Sequence, residues 1–180
     1  MRYALMLVAL LTFTPACSAA EAEPKVGDAA VDFTLDELGG EAVTLSKLTK
    51  DGPVVLVVLR GWPGYQCPLC TRQVGQFLGA ADKFREAGAT VLFVYPGPAE
   101  GLGKYAEEFI AGTTLPDGFH LLTDPDFKFT KAYNLRWEAP RETAYPTTLV
   151  IAKGGKIALA KVSHTHGDRA AAKDVLEALK

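Results

Sequence analysis

Residues 54 to 59 read Val-Val-Leu-Val-Val-Leu. This run is apolar, rich in β-branched residues and too short for an ordinary helix, so it predicts a strand buried on both faces. Thr90 to Tyr95 predicts a second such strand. Between them, from Pro68 to about Glu86, the apolar residues Leu69, Val74, Phe77, Leu78, Ala81 and Phe84 recur at helical spacing, and Gly88 supplies a stop. Upstream, Val31, Phe33 and Leu35 alternate with polar residues, Gly39-Gly40 marks a turn, and Ala42 to Leu45 reads as the partner strand. Ser46 is placed to cap a short helical turn. Downstream, the pattern predicts a helix over Ala99–Ala111 and a short strand over His120–Thr123. A helix then opens at Asp124-Pro125 and runs through Tyr133. Thr147–Ala152 and Lys156–Val162 form a hairpin about Gly154-Gly155, and an amphipathic helix over Asp168–Leu179 closes the chain.

The order is a hairpin, then β-α-β-α, then a second hairpin and a helix. It predicts an α/β fold with a mixed central sheet, helices on both faces and an N-terminal β-hairpin. Residues 1–20 stand apart: Arg2 is a basic start, Ala4 to Leu11 is an apolar run too short to span a bilayer, and Ser18-Ala19-Ala20 offers small residues before a cut. A signal peptide over 1–20 followed by one domain over 21–180 is expected, which places the mature protein outside the cytoplasm, in a periplasmic or other extracytoplasmic space. Phe13-Thr14-Pro15-Ala16-Cys17 loosely resembles a lipoprotein signal, so a membrane association would arise through a lipidated Cys17. The formal net charge of −2 gives no basic face for nucleic acid. Gly101-Leu102-Gly103 lacks the third glycine of a dinucleotide fingerprint, and the sequence calls for no cofactor.

Cleavage near Ala20 leaves two cysteines, Cys67 and Cys70. A disulfide between them closes only a tiny loop and removes little chain entropy, so the spacing argues for chemistry rather than stapling. Cys67 follows a strand and a loop and opens a helix. There the free N–H groups and the helix dipole favour a thiolate, lowering a thiol pKa from ~8.5 towards ~3.5–7.5. Pro68 suits the first helical turn. Cys70, one turn further in, is placed to attack a mixed disulfide or sulfenic acid on Cys67. A zinc site would need a second cysteine pair, and His164 and His166 are poorly spaced to replace it.

Tyr145-Pro146-Thr147 places a proline at a strand head. In a thioredoxin fold such a proline, which can be cis, faces the CxxC cysteine. With these residues the chain resembles the alkyl hydroperoxide reductase/thiol-specific antioxidant family, the redoxin or peroxiredoxin-like group of the thioredoxin superfamily. The resemblance is carried by Val26-Gly27-Asp28 through Phe33-Thr34-Leu35, although Val31 stands where a proline is usual. It continues in Leu45-Ser46-Lys47-Leu48, Leu122-Thr123-Asp124-Pro125-Asp126 and Lys131-Ala132-Tyr133-Asn134-Leu135, and in Arg60-Gly61-Trp62 ahead of Cys67-Pro68-Leu69-Cys70.

The family implies a thioredoxin-like fold and thiol-dependent reduction of a hydroperoxide, with an external thiol or thioredoxin-like donor. Three residues before Cys67, where the family carries Thr or Ser, stands Gly64; for the family's late arginine the nearest candidate is Arg141. Arg60 or Arg72 is an alternative source of positive charge, and Tyr65 and Gln66 are candidate donors near the thiolate. The CxxC with Pro146 favours the alternative of a thioredoxin-like thiol-disulfide oxidoreductase acting on partner-protein disulfides, whereas the overall resemblance, with Arg60-Gly61, favours the peroxidase. A copper chaperone on the same fold would use CxxxC and a distant histidine, for which His164 and His166 are the candidates.

Overall fold

The structure, a computed structural model, describes residues 22–180. The expected leader at 1–20, Cys17 included, lies outside them. The apolar run becomes β3 (Val54–Val58), with every position buried. It is flanked by β4 (Thr90–Gly97), which pairs with it in parallel, and by β6 (Thr147–Ile151), which pairs antiparallel. β5 (Phe119–Pro125) and β7 (Ile157–Val162) complete a five-stranded sheet in the order β5-β4-β3-β6-β7. β1 (Thr34–Asp36) and β2 (Ala42–Thr44) form the separate N-terminal hairpin.

Strand alternation divides the core into two layers. Val55, Val57 and Leu59 face Phe77 and Val74 of α2 (Pro68–Leu78), Phe84 of α3 (Ala81–Glu86), Ala106 of α4 (Leu102–Ile110) and Val175 of α6 (Ala172–Glu177). Val54, Leu56 and Val58 face Leu45 of α1 (Leu45–Asp51), Phe129 of α5 (Lys128–Ala132), Tyr133 and Leu135. Helices therefore cover both faces, as expected.

Several boundaries differ from the sequence pattern. The helix expected over 68–86 is two helices, because the chain turns at Gly79 and Ala80, where Ala80 leaves helical geometry (φ −112°, ψ 14°). The bend stacks Phe77 on Phe84, with centroids 5.4 Å apart. The apolar spacing continues through the turn, so periodicity could not register it. Ser46 is not a cap. It lies inside α1, and its N–H donates to Asp32 Oδ1 at 2.8 Å, so an aspartate from outside the helix does the capping. The final helix is shorter than expected, and residues 168–171 precede it as non-helical chain.

Asp124 does not open a helix but stays in β5. Asp126 and Phe127 turn the chain through positive φ (56° and 61°), and α5 begins after them. The fully buried Asp124 carboxylate accepts the N–H groups of Phe129 (2.8 Å) and Thr130 (3.0 Å), capping α5 from the neighbouring strand. Removing it leaves buried donors unpaired. Asp124→Ala is expected to cost about 1–3 kcal/mol, read as a lower urea midpoint at unchanged slope. An unchanged midpoint would show that the cap contributes nothing.

Candidate active site

β3 delivers the chain into a loop that is pinned to β4: the Leu59 N–H donates to the Val94 carbonyl and the Trp62 N–H to the Pro96 carbonyl, both at 2.9 Å. Gly61 is required there. Its φ is +64°, and a Cβ would collide with the Pro96 backbone. Trp62 then stacks on Tyr105 of α4 at 3.8 Å between centroids. The loop ends at Cys67, the N-cap of α2, followed by Pro68 in the first turn. The Cys67 carbonyl already accepts the N–H groups of Cys70 (3.0 Å) and Thr71 (3.1 Å).

Cys67 and Cys70 are both free thiols and both buried. The Cys70 thiol donates to the Cys67 sulfur. That bond is the largest cause holding Cys67 as a thiolate. It outweighs burial with the help of the Cys70 and Leu69 N–H groups and the charge of Arg169, and the Cys67 pKa falls to about 5. The same hydrogen bond, together with burial, pushes Cys70 well above the ordinary thiol range. The two sulfurs are thus differentiated: Cys67 carries charge while Cys70 keeps its proton. The sign is testable. A thiol with a pKa of about 5 is nearly all thiolate at neutral pH, so alkylation of Cys67 by iodoacetamide should fall as pH drops through 5 and stay flat from 7 to 8. A rate still climbing towards pH ~8.5 would mean an ordinary thiol.

The positive charge comes from an unexpected place. Arg169, in the loop between β7 and α6, sets Nη1 3.6 Å from Cys70 Sγ and Nη2 4.0 Å from Cys67 Sγ. It donates to Gln73 Oε1 at 2.8 Å and to the His166 carbonyl at 2.9 Å. Gln73, buried in α2, in turn donates to Thr148 of β6 at 3.3 Å. No local motif marks Arg169. It lies 99 positions after Cys70, and only the folding of β7 back along β6 brings the two together.

The sequence candidates fare differently. Arg60 is buried, but its guanidinium turns away from the sulfurs to Glu142 Oε2 (2.7 Å), the Arg141 carbonyl (3.0 Å) and the Tyr65 hydroxyl. Burial opposes the Arg60 charge, yet the bonds to Glu142 and Tyr65 outweigh it and hold the guanidinium firmly protonated. What Arg60 gives the site is its backbone N–H, donated to Cys70 Sγ at 3.3 Å. Arg141 contributes only its carbonyl; its side chain is exposed and its φ is +60°. Tyr65 is 47% exposed, with its hydroxyl on Arg60 rather than on the thiolate. Gln66 is spent on Tyr95 and Tyr105, at 2.8 Å each. Arg72 is exposed and lines, with Leu69, Gln73 and Arg169, a groove of about 220 Å³ beside the site. Gly64 has φ +107°, a conformation that disfavours the Thr or Ser of the family pattern. Pro146 is buried just before Thr147, which pairs with Val58 at the end of β3 from which the cysteine loop departs. It therefore sits at the expected end of the sheet, but the Tyr145–Pro146 bond is trans rather than cis. His164 and His166 are each engaged by a carboxylate, Glu23 (3.4 Å) and Glu142 (3.0 Å).

A CxxC opening a helix, after the first strand of a sheet ordered β5-β4-β3-β6-β7, defines a thioredoxin-fold dithiol protein. Residues 26–160 match the model of the AhpC/TSA family, and the chain belongs to that family. The chloroplastic peroxiredoxin Q of Oryza sativa subsp. japonica is 34% identical over 109 residues, 61% of this chain and 46% of that protein. The thiol-disulfide oxidoreductase ResA of Halalkalibacterium halodurans is 28% identical over 134 residues, 74% of this chain and 66% of that protein. The crystal structure of peroxidoxin BcpB from Mycobacterium tuberculosis superposes with a TM-score of 0.66 at 28% identity, covering 86% of this chain and 96% of that one. The chain spans about half the length of the rice and wheat peroxiredoxin Q proteins it matches.

Proposed function

We propose that this chain is a thiol-dependent peroxidase in which Cys67 is the peroxidatic residue and Cys70 the resolving one. The observation that carries the reading is the placement of the pair: Cys67 caps the N-terminus of α2, Cys70 lies one turn further in, and the Arg169 guanidinium stands 4.0 Å and 3.6 Å from the two sulfurs, an arrangement that favours a thiolate at Cys67. The Cys67 thiolate attacks the outer peroxide oxygen, the O–O bond breaks, and the alkoxide or hydroxide takes a proton and leaves as alcohol or water. Cys67 is then a sulfenic acid. Cys70 attacks its sulfur, the S–O bond breaks, water leaves, and a Cys67–Cys70 disulfide remains. An external thiol or thioredoxin-like donor supplies two electrons to reopen it.

A second reading, disulfide exchange with a partner protein, is favoured by Gly64, because the hydroxyl that the family pattern places three residues before the cysteine is missing. The two separate in one assay. Reduced protein is mixed with hydrogen peroxide, and in parallel with a small protein disulfide, and Cys67 oxidation is followed by mass. A peroxide rate far above that of a free thiol supports the peroxidase. A peroxide rate equal to that of a free thiol, with fast disulfide exchange, replaces it by the second reading. We further propose export after cleavage near Ala20, which an intact mass of the mature protein beginning near Glu21 would support and an uncleaved mass would refute.

A further inference from the structure

We propose that Arg169 is a catalytic residue that serves the two sulfurs in turn, facing Cys67 while that sulfur is the anion and Cys70 once Cys67 has become a neutral adduct. The proposal rests on the dithiol reading above, in either its peroxidase or its exchange form. The guanidinium lies within reach of both sulfurs at once, 4.0 Å from Cys67 and 3.6 Å from Cys70. Its other named contacts, the Gln73 side-chain oxygen and the His166 carbonyl, are neutral acceptors that fix its plane without cancelling its charge. The neighbouring Asp168 carboxylate is engaged by Lys161 at 2.7 Å. On the sheet side the sulfurs face Tyr95, whose phenol is kept protonated chiefly by burial.

The need for a second charge site follows from the chemistry. In the reduced protein Cys70 holds its proton because it donates to the Cys67 thiolate and is buried. Once Cys67 is a sulfenic acid or a mixed disulfide, that anion is gone. Cys70 must then lose its own proton to attack, in a site 1% exposed to solvent. The groups left to stabilise a Cys70 thiolate are the Arg60 N–H at 3.3 Å and the Arg169 guanidinium. Arg169 is already there, so its charge passes between the sulfurs without a rearrangement of the loop.

The test uses the whole mature chain and no peroxide. Cys67 is loaded as a mixed disulfide with 2-nitro-5-thiobenzoate. Attack by the Cys70 thiolate forms the Cys67–Cys70 bond and expels the coloured thiolate, so colour release reports closure. In Arg169→Gln, closure at pH 7 is expected to slow about 10-fold and its pH midpoint to rise by about one unit, a factor of ten per unit of pKa. Arg169→Lys, which keeps the charge but not the fork, is expected to recover most of both. The pH midpoint of Cys67 alkylation in the unloaded protein should rise in Arg169→Gln and return towards wild type in Arg169→Lys. A structural role alone would not follow the charge in this way. If Arg169→Gln closes with the wild-type midpoint, or if Arg169→Lys is as slow as Arg169→Gln, the proposal is overturned. The peroxidase reading fails on a separate observation, a wild-type peroxide rate equal to that of a free thiol, because closure of the mixed disulfide involves no peroxide.

Discussion

Replacing Cys67 by Ser is expected to abolish peroxide turnover, lowering it by at least about a thousandfold, the scale on which removing a nucleophile acts. The reason lies in the atom rather than the fold. A serine hydroxyl at this N-cap keeps its proton at neutral pH, and its oxygen cannot climb the oxidation ladder to a sulfenic acid. The site's other groups, including the Leu69 and Cys70 N–H donors and Arg169, would remain without an anion to serve. Cys70→Ser provides the contrast. Its hydroxyl can still donate towards Cys67, so the first oxidation survives, but no disulfide can close. The Cys70→Ser protein should consume one equivalent of peroxide per chain and stop, with Cys67 trapped as a sulfenic acid that a dimedone probe labels. Continued turnover of Cys67→Ser, measured as peroxide loss against a buffer blank, would remove Cys67 from the mechanism. Continued turnover of Cys70→Ser with a thioredoxin-like donor would remove Cys70 as the resolving residue.

The largest expected effect on stability is that of Glu142→Ala. Arg60 is 3% exposed and Glu142 12%, and they meet at 2.7 Å through Nε and Oε2. Glu142 also holds the His166 ring at 3.0 Å through its other oxygen. Truncating one partner of a buried pair leaves the other charge dry and uncompensated, at a cost of about 3–5 kcal/mol. For a domain of this size that corresponds to a Tm lower by about 6–20 °C. Glu142→Gln keeps the shape and one acceptor, so it should cost less. Replacing both partners by apolar residues of similar volume, Arg60→Met with Glu142→Leu, should recover much of the loss, since it is the orphaned charge that destabilises. The consequence reaches the active site. The same Arg60 residue gives its N–H to Cys70 Sγ, and its carbonyl accepts the Thr143 hydroxyl. Glu142→Ala should therefore also slow disulfide closure. A Tm within about 1 °C of wild type, the scale of an ordinary surface substitution, would mean that the pair is solvated and contributes little.

The parts of this protein legible in its sequence are those governed by neighbours along the chain. The run at 54–58 admits one reading, because five successive apolar, mostly β-branched side chains can be hidden only at the centre of a sheet. Cys67 and Cys70 were equally legible, since spacing and a strand-loop-helix setting place a sulfur at free backbone N–H groups whatever the rest of the chain does. The bend at Gly79-Ala80 was not, because both short helices keep the same apolar phase. Nor was the capping of α5, where Asp124 remains in a strand and reaches N–H groups beyond a turn.

The charges of the site divide in the same way. Arg60 stands near the motif in sequence, yet a partly buried carboxylate 82 positions away takes its guanidinium, while Arg169 reaches both sulfurs from the far end of the chain. A sequence states that a thiolate at Cys67 needs a cation. Which arginine answers depends on where β7 returns along β6 and on which acceptors, Glu142 for Arg60 and Gln73 for Arg169, are left facing each one. Charge pairing acts through space over a few ångströms, and the tertiary structure alone decides which residues share them.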